Sequence, residues 1–145
     1  MLRRLALADM DVAACVHRTA FDQAMPWLAG LHTPDEDRWF YRERVFPTCS
    51  VWGRFDGDEL CGIIAFRDRW VEQLYVLPVA QGRGVGTDLL DIAKGACDRL
   101  ELWAFQRNAP ARRFYEARGF KLVEETDGAR NEELEPDARY LWTRQ

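Results

Sequence analysis

Apolar positions along this chain recur with two different spacings, and the spacings alternate from segment to segment. Leu2 to Leu5 is short enough for one opening strand. In the next segment Val12, Cys15, Val16, Thr19 and Ala20 fall at the period of a helix with one covered face. Asp9 and Asp11 stand near the positive end of that helix's dipole. Met25 to His32 is an aromatic-bearing connection. Thr33 then suits an N-cap, Pro34 the first helical position and Glu36 the far half of a capping box. A second helix is therefore predicted from about Pro34 to Val45, ending before Pro47.

The middle of the chain changes to β patterns. Cys49 to Phe55 and Leu60 to Arg67 are rich in branched and aromatic residues, with the hairpin signal Asp56-Gly57 between them. Arg69 to Pro78 reads as a third strand, closed by its proline. Leu89, Leu90 and Ala93 form the apolar stripe of a helix from roughly Gly86 to Arg99, and Leu100 to Phe105 is a strand. Asn108 can cap a further helix that tolerates Pro110 in its first turn and ends at Gly119. Phe120 to Glu125 and Ala138 to Thr143 make a last strand pair around the polar loop Thr126 to Pro136. The predicted order is β-α-α-β-β-β-α-β-α-β-β, a mixed α/β chain without repeats or linkers.

Composition narrows the function classes. Hydrophobic residues at 48% and charged residues at 30% over 145 residues suit one globular domain. A net charge of −4 argues against broad nucleic-acid binding, which rests on phosphate-neutralising cations. No window approaches the roughly 20 apolar residues of a membrane span, and the N-terminus lacks the apolar run of a signal peptide. Cys15, Cys49, Cys61 and Cys97 are far apart, and with His17 and His32 they match no zinc spacing. We read them as reduced, mostly buried thiols of a cytoplasmic protein, and expect no metal.

The chemistry gathers in "PVAQGRGVGTDLL", Pro78 to Leu90, with glycines at 82, 84 and 86. Neither a Walker A string nor the G-x-G-x-x-G fingerprint is present. Backbone N–H groups of a glycine turn continuous with a helix N-terminus still form a nest for an anion, to which Arg83 adds charge. The plainer alternative is a tight strand-to-helix turn that needs positive φ. Three glycines in five residues exceed what one such turn requires.

Gln81-Gly82-Arg83-Gly84-Val85-Gly86, preceded by Leu-Tyr-Val-Leu-Pro, resembles the acetyl-CoA loop of the GNAT N-acetyltransferase superfamily, Gln/Arg-x-x-Gly-x-Gly/Ala. Asn108 to Phe120, "NAPARRFYEARGF", is similar to that family's later helix, N-x-x-A-x-x-F-Y-x-x-x-G-F, and follows in the family's order. The two blocks span roughly Trp70 to Phe120. The resemblance implies a mixed α/β (α+β) GNAT-like fold in a single domain, residues 1–145. Its central, mostly antiparallel sheet would have six to seven strands, be splayed at the acetyl-CoA site and be flanked by about four helices. Acetyl-CoA would lie along Leu74, Tyr75 and Val76 through main-chain bonds, with an amide near Leu74 or Tyr75 as oxyanion hole. Gln81, Gly82, Arg83, Gly84, Val85, Gly86 and Thr87 would hold the pyrophosphate. Asn108 matches a position that bonds the pantetheine arm and equally suits a simple N-cap. Ala111 leaves room for the cofactor. Tyr115 would protonate the leaving thiolate as general acid.

Glu72 lies two residues before Leu74, so strand alternation puts both on one face, where a carboxylate could take the ammonium proton. A solvated or Arg-paired strand-end Glu, with a water chain as base, explains it equally well. By topology Met25 to His32 and the loop 126–136 should flank the acceptor. Trp27 and His32 would supply an apolar wall and a polar contact, and Glu132, Glu133 and Glu135 could attract a cationic amine or merely be solvated. The expected function is direct acetyl transfer to a small-molecule or peptide primary amine, without nucleic acid or membrane partners. A homodimer is common among similar proteins. The alternative is a non-catalytic acyl-CoA-binding sensor.

Overall fold

The computed structural model describes residues 1–145, and its elements follow the predicted order. β1 (Leu2–Arg4) leads into α1 (Met10–Ala24), whose buried stripe is Met10, Ala13, Ala14, Val16, Ala20 and Phe21. α2 (Pro34–Phe40) opens on the predicted capping box: Glu36 N–H donates to Thr33 Oγ1 at 3.2 Å, and Thr33 N–H to Glu36 Oε1 at 2.7 Å. The helix does not stop before Pro47. It widens into a π-turn over Tyr41–Val45 and runs through the short α3 (Phe46–Thr48). Bulging lets the chain pass a proline that lacks an N–H without an orphaned carbonyl clash.

β2 (Ser50–Asp56), β3 (Glu59–Arg67) and β4 (Trp70–Val76) form an antiparallel meander. α4 (Val85–Ala96) starts at the glycine turn and ends three residues before the predicted Arg99, because β5 (Arg99–Phe105) already begins there. α5 (Ala109–Ala117) is capped by Asn108 and closed by Gly119 at φ +90°, and β6 (Lys121–Thr126) and β7 (Asp137–Thr143) complete the sheet. The seven strands are ordered β1-β2-β3-β4-β5-β7-β6, antiparallel except for β4 against β5.

The sheet separates two cores. On one face α4, α5 and the sheet enclose Ile64, Leu89, Leu90, Leu100, Leu102 and Tyr140; on the other, α1 and the π-turn enclose Met10, Ala13, Tyr41, Val45, Val51 and Ile63. The thiols are less buried than expected: Cys61 alone is buried, Cys49 and Cys97 are intermediate, and Cys15 is exposed because it lies off the covered face of α1. No helix is long and apolar enough to cross a membrane, and no cluster of three His, Cys, Asp or Glu side chains could hold a metal ion.

Candidate active site

β4 and β5 diverge. They share one bridge, Trp70 opposite Glu101, fastened by Glu101 N–H to the Arg69 carbonyl at 2.8 Å. Beyond it β4 stays paired to β3 and β5 to β7, so each presents a bare edge to the gap. A cavity of about 770 Å³ opens there, walled by Glu72 to Val76, Leu102 to Phe105, the glycine turn, α5 and the C-terminal part of α1. Its lining draws on both faces of the sheet.

The three glycines divide the work of the turn. Gly82 and Gly84 have φ of +78° and +80°, and a Cβ at either would meet nothing within 4 Å. Gly86 has an ordinary φ, but its Cβ would come within 3.0 Å of the Phe114 ring. Two glycines thus turn the chain beside open space, and the third lets α4 close on α5. The first amides of α4 have no carbonyl before them to bond, which makes this rim a donor cluster at the positive end of a helix. Gln81 folds back, Nε2 donating to the Val76 carbonyl at 3.1 Å, while Arg83 is exposed and stands off the cavity wall. Val85 is buried core, and Thr87 Oγ1 accepts from Arg118 Nε at 2.8 Å.

Arg118, stacked 3.8 Å over Phe114, is a cation on the wall that the sequence reading did not single out, although it lies inside the quoted helix block. Asn108 Oδ1 accepts the Ala111 N–H at 3.3 Å, so the cap role is real; its Nδ2 has no protein partner and remains a free donor on the wall. Ala111 lines the same wall.

Tyr115 is 9% exposed, packed edge-on to Phe114 and Phe120, and its hydroxyl bonds no protein group. Burial, and secondarily Tyr75, pushes its ionisation well above the ordinary phenol range. Leu74 and Val76 pack into the α4 side of the sheet, and Tyr75 into the α1 side. Glu72 lines the cavity rim and is ion-paired to Arg67 at 3.3 Å. The alternation expected between Glu72 and Leu74 fails, because Ala65 opposes Gln73 and Phe66 opposes Val71, leaving Glu72 as the extra residue of a bulge.

Comparison with known proteins now places the arrangement. The sequence profile of the Acetyltransferase (GNAT) family matches residues 17–120. The chain belongs to the GNAT acetyltransferase family. Peptidyl-lysine N-acetyltransferase YiaC of Escherichia coli (strain K12) is 29% identical over 84 residues, which span 57% of this chain and 58% of that protein. Among solved structures, apo YjaB from Escherichia coli superposes with a TM-score of 0.83 at 19% identity, covering 100% of this chain and 98% of that one. YncA from Salmonella typhimurium, solved with acetyl-CoA, gives 0.73 at 18% identity over 100% and 94%. At such identities the superpositions speak for the fold.

In this GNAT member the expected acceptor residues converge without reaching the cavity wall. His32 Nε2 pairs with Glu132 Oε1 at 2.9 Å. Trp27 Nε1 donates to Glu135 Oε1 at 3.0 Å under the Arg107 guanidinium, which lies 3.9 Å over the indole. These contacts strap the 25–32 connection to the 127–136 loop. Glu135 is not solvated as the charge pattern allowed: it is buried, and its Oε2 has no partner. Glu133 lines a second cavity of about 730 Å³, which shares Trp103, Ala104 and Phe105 with the first. No motif of the sequence marks His17. It sits half-buried on α1 with Nδ1 2.6 Å from the Tyr41 hydroxyl and its ring stacked 4.1 Å from Tyr75.

Proposed function

We propose that the protein transfers an acetyl group from acetyl-CoA to a primary amine of a small molecule or peptide by direct attack. One observation carries the reading. A single cavity joins a glycine turn at a helix start to two bare strand edges, with the unbonded Tyr115 hydroxyl between them. The residues present fit acetyl-CoA. The rim at Gly82 and Gly84 is open where a Cβ would stand, Asn108 Nδ2 is a spare donor, and Arg118 brings positive charge. When bound, the thioester supplies the activated acetyl group.

The bare edge of β4 near Leu74 and Tyr75 polarises the thioester carbonyl through backbone N–H groups. Glu72, directly or through water, takes the proton that the ammonium must lose. The amine nitrogen then bonds to the acetyl carbon, the C–S bond breaks, Tyr115 protonates the departing thiolate, and the surplus proton on the new amide nitrogen passes through water to restore the Tyr115 phenol. Burial keeps the Tyr115 phenol protonated at any working pH. A thiolate forming in the same low-dielectric space is raised in basicity by the same burial, so the transfer stays matched although a free thiol titrates near 8.5. The YncA and YiaC relatives, one solved with acetyl-CoA and one named for peptidyl-lysine, are consistent with donor and acceptor class.

The test is thiol release from acetyl-CoA across a panel of amines. Tyr115→Phe is expected to lower kcat roughly a hundredfold with CoA affinity intact, within the range of one proton-transfer group. Tight CoA binding without thiol release on any amine would reassign the chain to the acyl-CoA-binding sensors.

A further inference from the structure

The cavity passes through the plane of the sheet. Its glycine turn, α5 and Tyr115 belong to the α4 face, whereas Ala20, Phe21 and Ala24 of α1, with Met25 just beyond it, wall its opposite end. Tyr75 stands at the crossing. Its neighbours in β4, Leu74 and Val76, pack against the α4-side core, and Tyr75 alone packs against the α1-side core while still lining the cavity. Its hydroxyl therefore faces the space reached from the α1 side, away from the glycine turn, and bonds no protein group.

The ring itself is held. His17 stacks on it at 4.1 Å and 23°, close to parallel, and the Tyr41 hydroxyl grips His17 Nδ1 at 2.6 Å. Tyr41 is 1% exposed and sits in the π-turn, so the grip reaches back into the α1-side core. A tyrosine needing only to fill space would not require a polar plate on a second polar mount.

The charged groups that act on Tyr75 are Glu133 and Arg18. Arg18 is consumed by Asp37 at 2.8 Å and Asp22 at 3.3 Å. Glu133, the carboxylate that acts on Tyr75, has no ion-pair partner and lines the adjoining cavity. An incoming group at the Tyr75 hydroxyl meets the field of unpaired Glu133, while Arg118 stands at the glycine-turn end beside Thr87 and Phe114, so this end of the cavity favours a cation.

We infer that the Tyr75 side chain binds the acceptor amine, arriving as an alkylammonium from the α1 face, and that His17, gripped by Tyr41, is the positioning residue that fixes Tyr75 in place. The inference rests on the acetyl-transfer reading and adds residues to it. The Tyr75 hydroxyl oxygen accepts one ammonium N–H, holding the nitrogen opposite Tyr115 until Glu72 or water removes a proton. Tyr75 binds and orients; it exchanges no proton itself.

The experiment measures binding of n-butylammonium to CoA-saturated protein, by calorimetry and by NMR of ¹³C-labelled tyrosine rings, a complex in which no transfer occurs. Tyr75→Phe is expected to weaken amine binding about tenfold, the loss of one charge-assisted hydrogen bond, and to leave CoA affinity within about twofold. His17→Ala should weaken amine binding comparably, and His17→Phe should recover it to within about threefold because the plate is restored. A wild-type protein that takes up no butylammonium at Tyr75 overturns the inference. So does Tyr75→Phe with undiminished amine affinity, or His17→Phe as weak as His17→Ala. Intact amine binding with no thiol release would instead sink the transfer reading and leave the binding role of Tyr75 standing.

Discussion

Gly84 occupies a backbone conformation that L side chains rarely adopt, φ +80°, with nothing within 4 Å of where a Cβ would stand. A substitution there is strained but does not clash, so the fold pays roughly 1–2 kcal/mol for the left-handed residue and survives. The open space is the rim of the proposed phosphate site. Gly84→Glu is therefore expected to leave a folded protein with a modestly lower melting temperature and CoA affinity reduced more than about tenfold, from a carboxylate facing the pyrophosphate. Gly95→Glu serves as control, since Gly95 lies near the far end of α4 with open space and no positive φ. Unchanged CoA affinity in folded Gly84→Glu would remove the turn from the binding site. Gly86 follows different logic: any side chain there pushes on Phe114, and its substitution reports packing of α4 on α5.

Among the elements, the β3–β4 connection is the one built against local preference. Arg67 pairs with Trp70, leaving Asp68 and Arg69 as a two-residue loop with φ of +49° and +71°. Both central residues at positive φ make it a type I′ turn, whose favoured pair is Asn-Gly. Arg69→Gly is expected to raise stability by about 1 kcal/mol, some 3 °C in melting temperature for a chain this size, read by thermal unfolding. An unchanged or lower melting temperature would mean that Arg69 makes up its backbone cost elsewhere. Elements like this mark where the sequence is readable. The caps at Thr33 and Asn108 could be read because each cap and its partner amide lie within three residues. The π-turn before Pro47 and the bulge at Glu72 could not, because a proline marks a helix that widens and a helix that stops alike, and the bulge is set by the register of β4 on β3. The donor half of the candidate site is legible for the same reason as the caps: a glycine turn and one helix carry it. The proposed acceptor half draws on α1, the π-turn, β4 and the 127–136 loop, and no local pattern binds His17 to Tyr41 and Tyr75.

For the whole molecule, that cluster makes folding itself sensitive to acid. His17 joins α1, the π-turn and β4, and burial, reinforced by Arg18 and His32 against the opposing pull of Asp37, pushes its imidazole from the ordinary 6.5 down to about 3. The native state thus keeps the ring neutral, hydrogen-bonded to Tyr41 and stacked on Tyr75. Below pH 6.5 the unfolded chain binds a proton that the folded chain refuses. The stability held in full above pH 6.5 is then lost as pH falls toward 3, at up to about 1.4 kcal/mol per unit over that window. His17→Phe keeps a ring against Tyr75 and has no proton to bind. Carboxylates contribute their own acid dependence to both proteins, so the decisive quantity is the difference between them. Denaturant unfolding at pH 7 and pH 5 is expected to show His17→Phe losing about 2 kcal/mol less stability than the wild type on acidification, whatever its absolute stability at pH 7. Equal losses would show that the imidazole protonates in place, and that α1, the π-turn and β4 are not joined by a neutral ring.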